Sequence, residues 1–353
     1  MSVIFAVLLF SMLIFVHELG HFMTAKLFGI QVNEFSMFMG PALWKKQVGE
    51  TLYAIRCIPI GGYCAMEGED EDSDNPRSFQ KAIWWKRVIV LVAGSAMNLL
   101  AGLLIYAFLI MPAQQIVVPE VSGFLDCCTF NTEDGLRIGD RFLEIDGEKI
   151  YTNSNISTVL SLNPTGVHDL VIRRGDEIIE FNDFHMAHME PNQNGEAYRH
   201  YGFYFGRADD ASLGEKIRYI GAMTMDNVRM VRLSLQMLLT GQAGLNDMMG
   251  PVGIVSQMAD IAEESATTRD AFFNLLSVGA FIAINLAVMN LLPVPALDGG
   301  RVVCLLLTTA VEAVIRKKIN PKYEGYLHAA GMILLLGLMA VVMFKDIFVL
   351  IKG

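Results

Sequence analysis

Two histidines and a glutamate near the amino terminus have the spacing of a zinc-hydrolase motif. His17 and His21 are four residues apart, so on a helix they share one face and can bind the same metal ion. Glu18 is then placed to act as the general base toward water at the metal. Given the His and Glu frequencies, chance would produce such a match in about 1 chain in 100 or fewer. The motif therefore predicts a zinc-dependent hydrolase.

The stretch that carries this motif is unusually apolar. The first sixteen residues, Met1 to Val16, have no charged side chain, and the apolar run continues to about Ala25, where Lys26 ends it. About 24 residues at 1.5 Å per residue can cross a hydrocarbon core. There is no basic start and no A-x-A site, so we expect a membrane helix rather than a cleaved signal peptide. Ionisable side chains are costly there unless they have a function.

The composition supports an integral membrane protein. Of 353 residues, 53% are hydrophobic and only 18% are charged. The formal net charge of −10 argues against a nucleic-acid partner. None of the five cysteines forms a CxxC pair, which excludes a zinc ribbon, and we expect Cys127 and Cys128 to be packing residues or free thiols. The sequence makes no prediction of an oligomeric state.

Three further segments are long and apolar enough to span a membrane: Val88–Met111, Ala271–Leu292 and Tyr326–Phe344. Residues 211–240 read as an amphipathic helix at the membrane interface, since they carry too much charge to span. The segment Val302–Ile315 is apolar but short, which leaves a packed helix and a partly inserted helix as alternatives. We therefore predict a polytopic α-helical membrane protein with about four transmembrane helices.

Two regions between the spans predict β structure. Thr51–Ile60 is rich in β-forming residues and ends at Gly61, Gly62 and Tyr63, which predicts strands and a tight turn in a membrane-associated β-rich loop. Residues 113–207 have the turns, strands and short helix of an inserted α+β domain, with the helix at Ser154–Leu162 and a hairpin of Asp169–Arg173 with Ile178–Phe181. The predicted regions are residues 1–112 (first membrane region), 113–207 (inserted domain), 208–270 (interfacial linker) and 271–353 (second membrane region).

The distribution of basic residues predicts the orientation. Residues 26–87 hold eight Lys and Arg and residues 300–325 hold five, whereas residues 113–270 hold 12 basic and 24 acidic residues. The positive-inside rule places the two short basic segments in the cytosol. The inserted domain and both termini are then outside, and His17 and His21 lie toward the cytosolic end of the first span.

A third metal ligand is expected at the same depth, because a hydrolytic zinc site has three protein ligands and one open position. The span that ends near Leu292 runs in the same direction as the first, and Asp298 follows shortly after it. Two prolines, Pro293 and Pro295, prevent a continued helix between them. On its own, an aspartate before Gly-Gly is more often a turn residue or a helix cap. Because the two histidines of the motif are expected at the same membrane depth, we predict that Asp298 is a metal ligand.

These motifs together resemble a known family. The sequence HELGH in a first membrane helix, with NLLPVPALDGG in a later one, resembles the site-2 protease family of intramembrane zinc metalloproteases. The run GLRIGDRFLEIDGEKI of residues 135–150 resembles a bacterial PDZ domain, as in the subgroup that cleaves anti-sigma factors and remnant signal peptides. The resemblance covers nearly the whole chain.

The resemblance implies roles for residues at matching positions. His17, His21 and Asp298 correspond to zinc ligands and Glu18 to the catalytic base. Asn285 and Asn290 correspond to family asparagines that hold the substrate, and Tyr201, Gly202 and Phe203 fall where the peptide-binding loop of a PDZ domain would lie. Separately from the resemblance, the β-prone loop that ends at Gly61, Gly62 and Tyr63 would offer the substrate an edge for strand addition. One departure is Arg301, where many relatives have His, and we expect it to change local contacts rather than activity.

The resemblance also implies a setting. The substrates would be single-span membrane proteins already trimmed by another protease, in the plasma membrane of a bacterium, with Zn²⁺ as the cofactor and the bilayer as a partner. The main alternative is a catalytically inactive membrane scaffold or chaperone that binds peptides through the PDZ-like domain. A transporter is disfavoured because the sequence shows no repeats or paired discontinuous helices. Two other histidines, His185 and His188, read as a surface or turn pair rather than a second metal site.

Overall fold

The computed structural model describes residues 2–69, 73–124, 135–163, 165–186, 188–191, 197–200, 202–241, 244, 248–316 and 322–352. The chain forms two compact units. One comprises Met1–Tyr106 with Val228–Gly353, and the other comprises Ala107–Asn227. The predicted inserted domain, residues 113–207, lies within the second unit.

The helices of the described residues are listed in chain order: α1 (Ser2–Leu27), α2 (Trp84–Ile110), α3 (Asn153–Leu162), α4 (Leu213–Thr240), α5 (Pro251–Glu264), α6 (Thr268–Asn290), α7 (Asp298–Ile315) and α8 (Lys322–Lys352). A short 3₁₀ turn, Phe79–Lys81, precedes α2. The predicted helices at 154–162 and 211–240 are thereby confirmed, whereas α5 was not predicted.

The strands follow the same order: β1 (Val32–Val48), β2 (Thr51–Met66), β3 (Gln115–Phe124), β4 (Arg141–Ile145), β5 (Glu148–Lys149), β6 (Val167–Arg174), β7 (Glu177–His185), β8 (His188–Pro191), β9 (Ala197–His200) and β10 (Phe203–Asp209). The predicted hairpin of residues 169–181 is confirmed as β6 and β7.

Four of the described helices are long and apolar enough to cross a membrane: Phe5–Leu27, Trp84–Ile110, Thr268–Asn290 and Glu324–Val349. These are the four predicted spans. The α7 helix contacts the rest of its unit through Leu305, which is buried in one core cluster with Ala25 and Val90. Its other apolar side chains, such as Leu307 and Val314, are exposed, so a packed helix and a partly inserted helix both stay open for residues 302–315.

Strands β1 and β2 fold into a bent antiparallel sheet beside α1. Phe35 of β1 is paired with Tyr53 on one side and with Cys64 on the other, so the first half of β1 lies between two runs of β2. The predicted tight turn at Gly61, Gly62 and Tyr63 is wrong, because these residues lie inside β2. Gly61 has a φ of +77°, which bends the strand and lets its last residues pair with β1.

The second unit is built on a sheet with the strand order β10-β3-β4-β6-β7, and β5 pairs with β4 at its side. Its core consists of apolar side chains from the strands and from α3, among them Phe142, Ile145, Ile156, Leu160 and Ile172. A partly buried ion pair supports the turn before β4, because Arg174 binds both oxygens of the buried Asp140 at 2.8 Å. The β10 strand forms one edge of this sheet.

Helix α8 caps another helix of the first unit. The carboxylate of Asp346 accepts hydrogen bonds from the backbone N–H groups of Gly250 and Gly253, each at 2.9 Å. These groups lie at the first turn of α5, where helical N–H donors have no partner within their own helix. A carboxylate also interacts favourably with the positive end of the helix dipole. Asp346 thereby joins the last helix to the segment that precedes α6.

Candidate metal centre

The motif of the first helix lies against α2. His17 and His21 are one turn apart on α1, and their side chains are almost completely buried, with 8% and 7% of each residue exposed. Their rings meet edge to face with centroids 4.7 Å apart. Both Nε2 atoms point toward the same place, because they lie 3.1 Å from each other.

Asp298 completes the group. Its Oδ2 atom lies 3.1 Å from Nε2 of His17 and 3.5 Å from Nε2 of His21. This oxygen is buried and has no hydrogen-bond partner in the described structure. Within the described part of the chain, these are the only three His, Cys, Asp or Glu side chains whose ligand atoms converge in this way.

The three atoms fit a zinc ion. Zinc bonds of 2.0–2.2 Å at tetrahedral angles place neighbouring ligand atoms about 3.3 Å apart, and the observed separations are 3.1, 3.1 and 3.5 Å. Two imidazoles and a carboxylate with no fourth protein ligand match a catalytic zinc site, which keeps one position open. A structural zinc site would have four protein ligands.

The segment between α6 and α7 brings Asp298 to this position. It contains Pro293 and Pro295, and Ala296 takes a φ of +80°, so the chain turns sharply before α7 begins at Asp298. Nδ1 of His328 on α8 accepts a hydrogen bond from the Ala296 backbone N–H at 3.0 Å. A Cβ atom on Gly299 would lie 2.2 Å from the Leu291 carbonyl oxygen. The glycine after Asp298 is therefore required by close backbone packing.

Helix α2 orients the two imidazoles. Nδ1 of His21 lies 2.8 Å from the backbone carbonyl oxygen of Val90. A carbonyl can only accept, so Nδ1 carries the proton and Nε2 has a free lone pair for a metal. One turn later, a Cβ atom on Gly94 would lie 2.4 Å from Nε2 of His21 and 2.8 Å from Cε1 of His17. Glycine at this position thus makes room for both rings.

A cavity of about 310 Å³ opens beside the three ligand atoms. Its walls include Glu18, Asn98 and Asn290 together with the side chains of His17 and Asp298. The predicted base and one of the two predicted substrate asparagines therefore face the same space as the metal ligands. Asn285 does not line this cavity; it is half-buried on α6, and its Oδ1 has no hydrogen-bond partner among the described residues.

The predicted substrate residues of the β-rich loop also lie near the motif. A Cβ atom on Gly62 would be 3.7 Å from Cγ of Glu18. Tyr63 follows in the last part of β2, and its hydroxyl accepts a hydrogen bond from Arg56 at 2.7 Å. Burial raises the pKa of the Cys64 thiol next to it, which makes this thiol a poor nucleophile.

The predicted peptide-binding residues of the second unit have mixed positions. Tyr201 lies outside the described residues. Gly202 is buried with a φ of +72°, and Phe203 begins the edge strand β10. The Phe203 ring stacks on Phe142 at 5.4 Å, so it belongs to the core of the unit and its backbone, rather than its side chain, is at the edge.

His168 and Arg301 have structural contacts, and the pair His185 and His188 is divided between two strands. His185 and His188 are on different strands, β7 and β8, and Nδ1 of His168 lies 2.8 Å from Asp146. Arg301, one turn after Asp298, forms an ion pair with Glu69 in the loop after β2. The expected change in local contacts relative to the family pattern stays a prediction.

Sequence reasoning missed the supporting partners of the ligands. The Val90 carbonyl carries no signal in the sequence, because every residue has one. In the sequence, Gly94 and Asn98 are a small and a polar residue at i and i+4, a spacing that by itself indicates only helix–helix packing in a membrane. Their spacing continues that of Val90, so all three lie on the face of α2 that meets α1.

Comparisons with known proteins agree with this geometry. Residues 5–338 match the model of peptidase family M50. A Clostridium perfringens protein described as a "putative zinc metalloprotease" is 37% identical over 98% of this chain and 98% of its own length. The regulator of sigma-W protease RasP of Bacillus subtilis is 27% identical over 98% of each chain. The chain therefore belongs to peptidase family M50, the site-2 protease family, and is a zinc-dependent membrane metalloprotease.

Proposed function

We propose that this protein is an endopeptidase that cuts single-span membrane proteins within their membrane segment. The observation that carries the proposal is the convergence of Glu18 and the three ligand atoms on one cavity between helices of membrane-spanning length. Ionisable side chains are costly within a membrane, so a catalytic site between membrane-spanning helices is most useful when the substrate also lies in the membrane.

His17, His21 and Asp298 would hold the zinc ion. When bound, zinc would act as a Lewis acid that lowers the pKa of water toward about 7 and polarises a carbonyl group. Glu18 takes the proton from the attacking water and returns it to the nitrogen of the leaving amine. The two histidines are almost completely buried, and electrostatic interactions are stronger in such surroundings than in bulk water.

The substrate must be held in an extended form. In a helix the scissile carbonyl is hydrogen-bonded within the segment, so the helix has to unwind locally, and an unwound segment in lipid needs new hydrogen-bond partners. The last part of β2, from Gly61 through Tyr63, pairs with β1 on one side only. Its other side is an edge that can pair with such a segment by strand addition. Asn290 lines the cavity and can bond an exposed peptide group, whereas Asn285 would act only after a local rearrangement.

The second unit would be a PDZ-like domain that selects substrates. Its support is the edge position of β10 directly after Gly202, with an apolar core behind it. An extended peptide could add to this edge through main-chain hydrogen bonds. A peptide exposed by an earlier proteolytic cut would fit this binding mode. One relative is named a regulator of sigma-W protease, and selection of substrates is consistent with a regulatory protease.

The orientation rests on the distribution of basic residues. We propose that the segments 26–87 and 300–325 face the cytosol of a bacterium, with the amino terminus and the second unit outside. The site would then lie toward the cytosolic side of the plasma membrane.

The direct test is Glu18→Gln in the full-length protein. We expect the variant to bind zinc like the parent and to lose cleavage of a reconstituted single-span substrate by about 100-fold or more. Zinc content and product formation would be measured on the same preparation. Equal cleavage by the variant would rule out the proposed mechanism and would favour a scaffold that binds peptides without cutting them.

A further inference from the structure

The two histidines differ in how their second ring nitrogen is supported. Nδ1 of His21 has the Val90 carbonyl oxygen as an acceptor at 2.8 Å. Nδ1 of His17 has a different neighbour, the side-chain amide of Asn98, whose Nδ2 lies 3.5 Å away. Asn98 is 1% exposed and stands two turns after Val90 on the same face of α2. One helix face thus meets both imidazoles.

The amide orientation of Asn98 does not suit a metal-bound His17. A neutral imidazole that gives its Nε2 lone pair to a metal carries its proton on Nδ1 and donates from there. The Nδ2 group of Asn98 is also a donor, so two donors would face each other. At the same time Oδ1 of Asn98 is buried and has no hydrogen-bond partner in the described structure.

Rotating the Asn98 side-chain amide by about 180°, so that Oδ1 and Nδ2 exchange places, removes both problems. Amide oxygen and nitrogen are nearly isosteric, and their assignment follows from the hydrogen-bond network. After the turn, Oδ1 accepts from Nδ1 of His17, and the buried oxygen gains its partner. The attraction would also shorten the 3.5 Å separation toward the usual 2.9–3.0 Å for an N–H···O bond.

We propose that Asn98 is a positioning residue that fixes His17 in the metal-binding tautomer through its side-chain oxygen. This inference rests on the proposed zinc site and adds a residue that acts through His17, without contact to the reacting atoms. Partners that orient a histidine ligand in this way typically contribute 10–100-fold to metal affinity.

Two substitutions separate this role from helix packing. Asn98→Leu keeps the approximate volume and removes the acceptor, while Asn98→Asp keeps an acceptor and adds a charge. If Asn98 positions His17, the Leu variant binds zinc about 10–100-fold more weakly, and the Asp variant stays within about threefold of the parent or binds more tightly. If Asn98 only packs helices, the order of zinc affinities of the two variants reverses, because helix packing tolerates Leu at this position but not a buried carboxylate.

The measurement is zinc affinity by chelator competition on full-length protein in detergent, with the Co²⁺ absorption spectrum as a second readout of the ligand geometry. Ser95→Ala is the matched control, since Ser95 is also buried on α2 and does not line the cavity. Parent-like affinity in Asn98→Leu, or a tenfold loss in Asn98→Asp with a normal control, would overturn the proposal. Absence of zinc binding in the parent itself would instead refute the proposed function.

Discussion

Asp298 is the one proposed zinc ligand that lies outside α1, far from the two histidines in sequence and at the start of α7. Its Oδ2 atom is within 3.5 Å of both Nε2 atoms and has no hydrogen-bond partner in the described structure. A buried carboxylate oxygen in this position is stabilised only by the two imidazoles or by a cation that they share.

Replacing Asp298 with Ala should therefore remove zinc from the protein. Two histidines alone leave an incomplete site, and we expect a loss of affinity that exceeds the roughly 10–100-fold effect of losing a supporting partner. Metal analysis of purified protein is the measurement. Asp260→Ala is the control, because Asp260 is exposed on α5. Retention of one zinc ion by the Asp298 variant would exclude this residue as a ligand.

Asn290 tests the substrate-binding part of the account. It lines the cavity beside Glu18, so its amide can replace a hydrogen bond that a substrate helix loses on unwinding. We expect Asn290→Leu to keep its zinc and to cleave about 3- to 10-fold more slowly, which corresponds to one hydrogen bond of roughly 0.5–1.5 kcal/mol. Asn274→Leu, at the exposed start of the same helix, should cleave like the parent. Undiminished cleavage by Asn290→Leu would remove the substrate role.

The contact between α1 and α2 is the element-scale feature that the site requires. Gly20 and Gly94 meet across it, since a Cβ atom on Gly20 would lie 2.4 Å from the Ala93 carbonyl oxygen. Small residues permit such close approach between membrane helices.

Gly94→Ala should disturb the site without changing any ligand. The added methyl group would overlap the His21 ring, which the Val90 hydrogen bond prevents from moving freely. We expect weaker zinc binding by about tenfold or more and a loss of about 1–3 kcal/mol in stability from overpacking. Gly337→Ala is the matched control, because nothing lies within 4 Å of a Cβ atom at that position of α8. Equal behaviour of the two variants in both measurements would contradict this packing.

The β-rich loop is tied to the end of α1 by an ion-pair cluster at Glu50. The Arg77 and Lys26 side chains hold the pKa of this carboxylate at about 2, below its ordinary value of 4.5. A lowered pKa means that the stabilisation is complete above about pH 4.5 and is lost as the pH falls toward 2. Arg77 also accepts, through its carbonyl oxygen, a hydrogen bond from the Gln31 backbone N–H at 3.0 Å.

Hydrogen exchange at Gln31 should report this cluster. In the parent, the protection factor of this amide should fall as the pH is lowered from about 4.5 toward 2, after correction for intrinsic exchange. In Glu50→Gln the protection should already be reduced at neutral pH and should change less with acid. Glu264→Gln, at an exposed position on α5, should follow the parent. A parent-like pH dependence in Glu50→Gln would show that another group is responsible.

Element positions were predictable where the signal was local. The four spans follow from apolar length, and the β6–β7 hairpin from alternation and its Arg174-Gly175 turn. The path of β2 was not predictable, because its last residues pair with β1 through a bend at Gly61, and this pairing has no local signal in the sequence. Asp298 could be chosen only by matching depth and resemblance, and the acceptor for His21 could not be chosen at all, since it is a backbone carbonyl.

At the scale of the whole molecule, the first unit holds the three proposed zinc ligands and the proposed general base among helices of membrane-spanning length. The second unit has its own core and an edge strand. We propose that the first unit carries out the reaction and that the second selects the substrate. A soluble metalloprotease would not need four apolar helices around its site.

The position of the cut bond tests the central claim most directly. Parent protein and Glu18→Gln would each be reconstituted in liposomes with a single-span substrate, and the masses of the products would locate the broken peptide bond. We expect the parent to cut within the membrane-spanning segment of the substrate and the variant to leave the substrate intact. A cut outside that segment, or the same products from both proteins, would contradict the account.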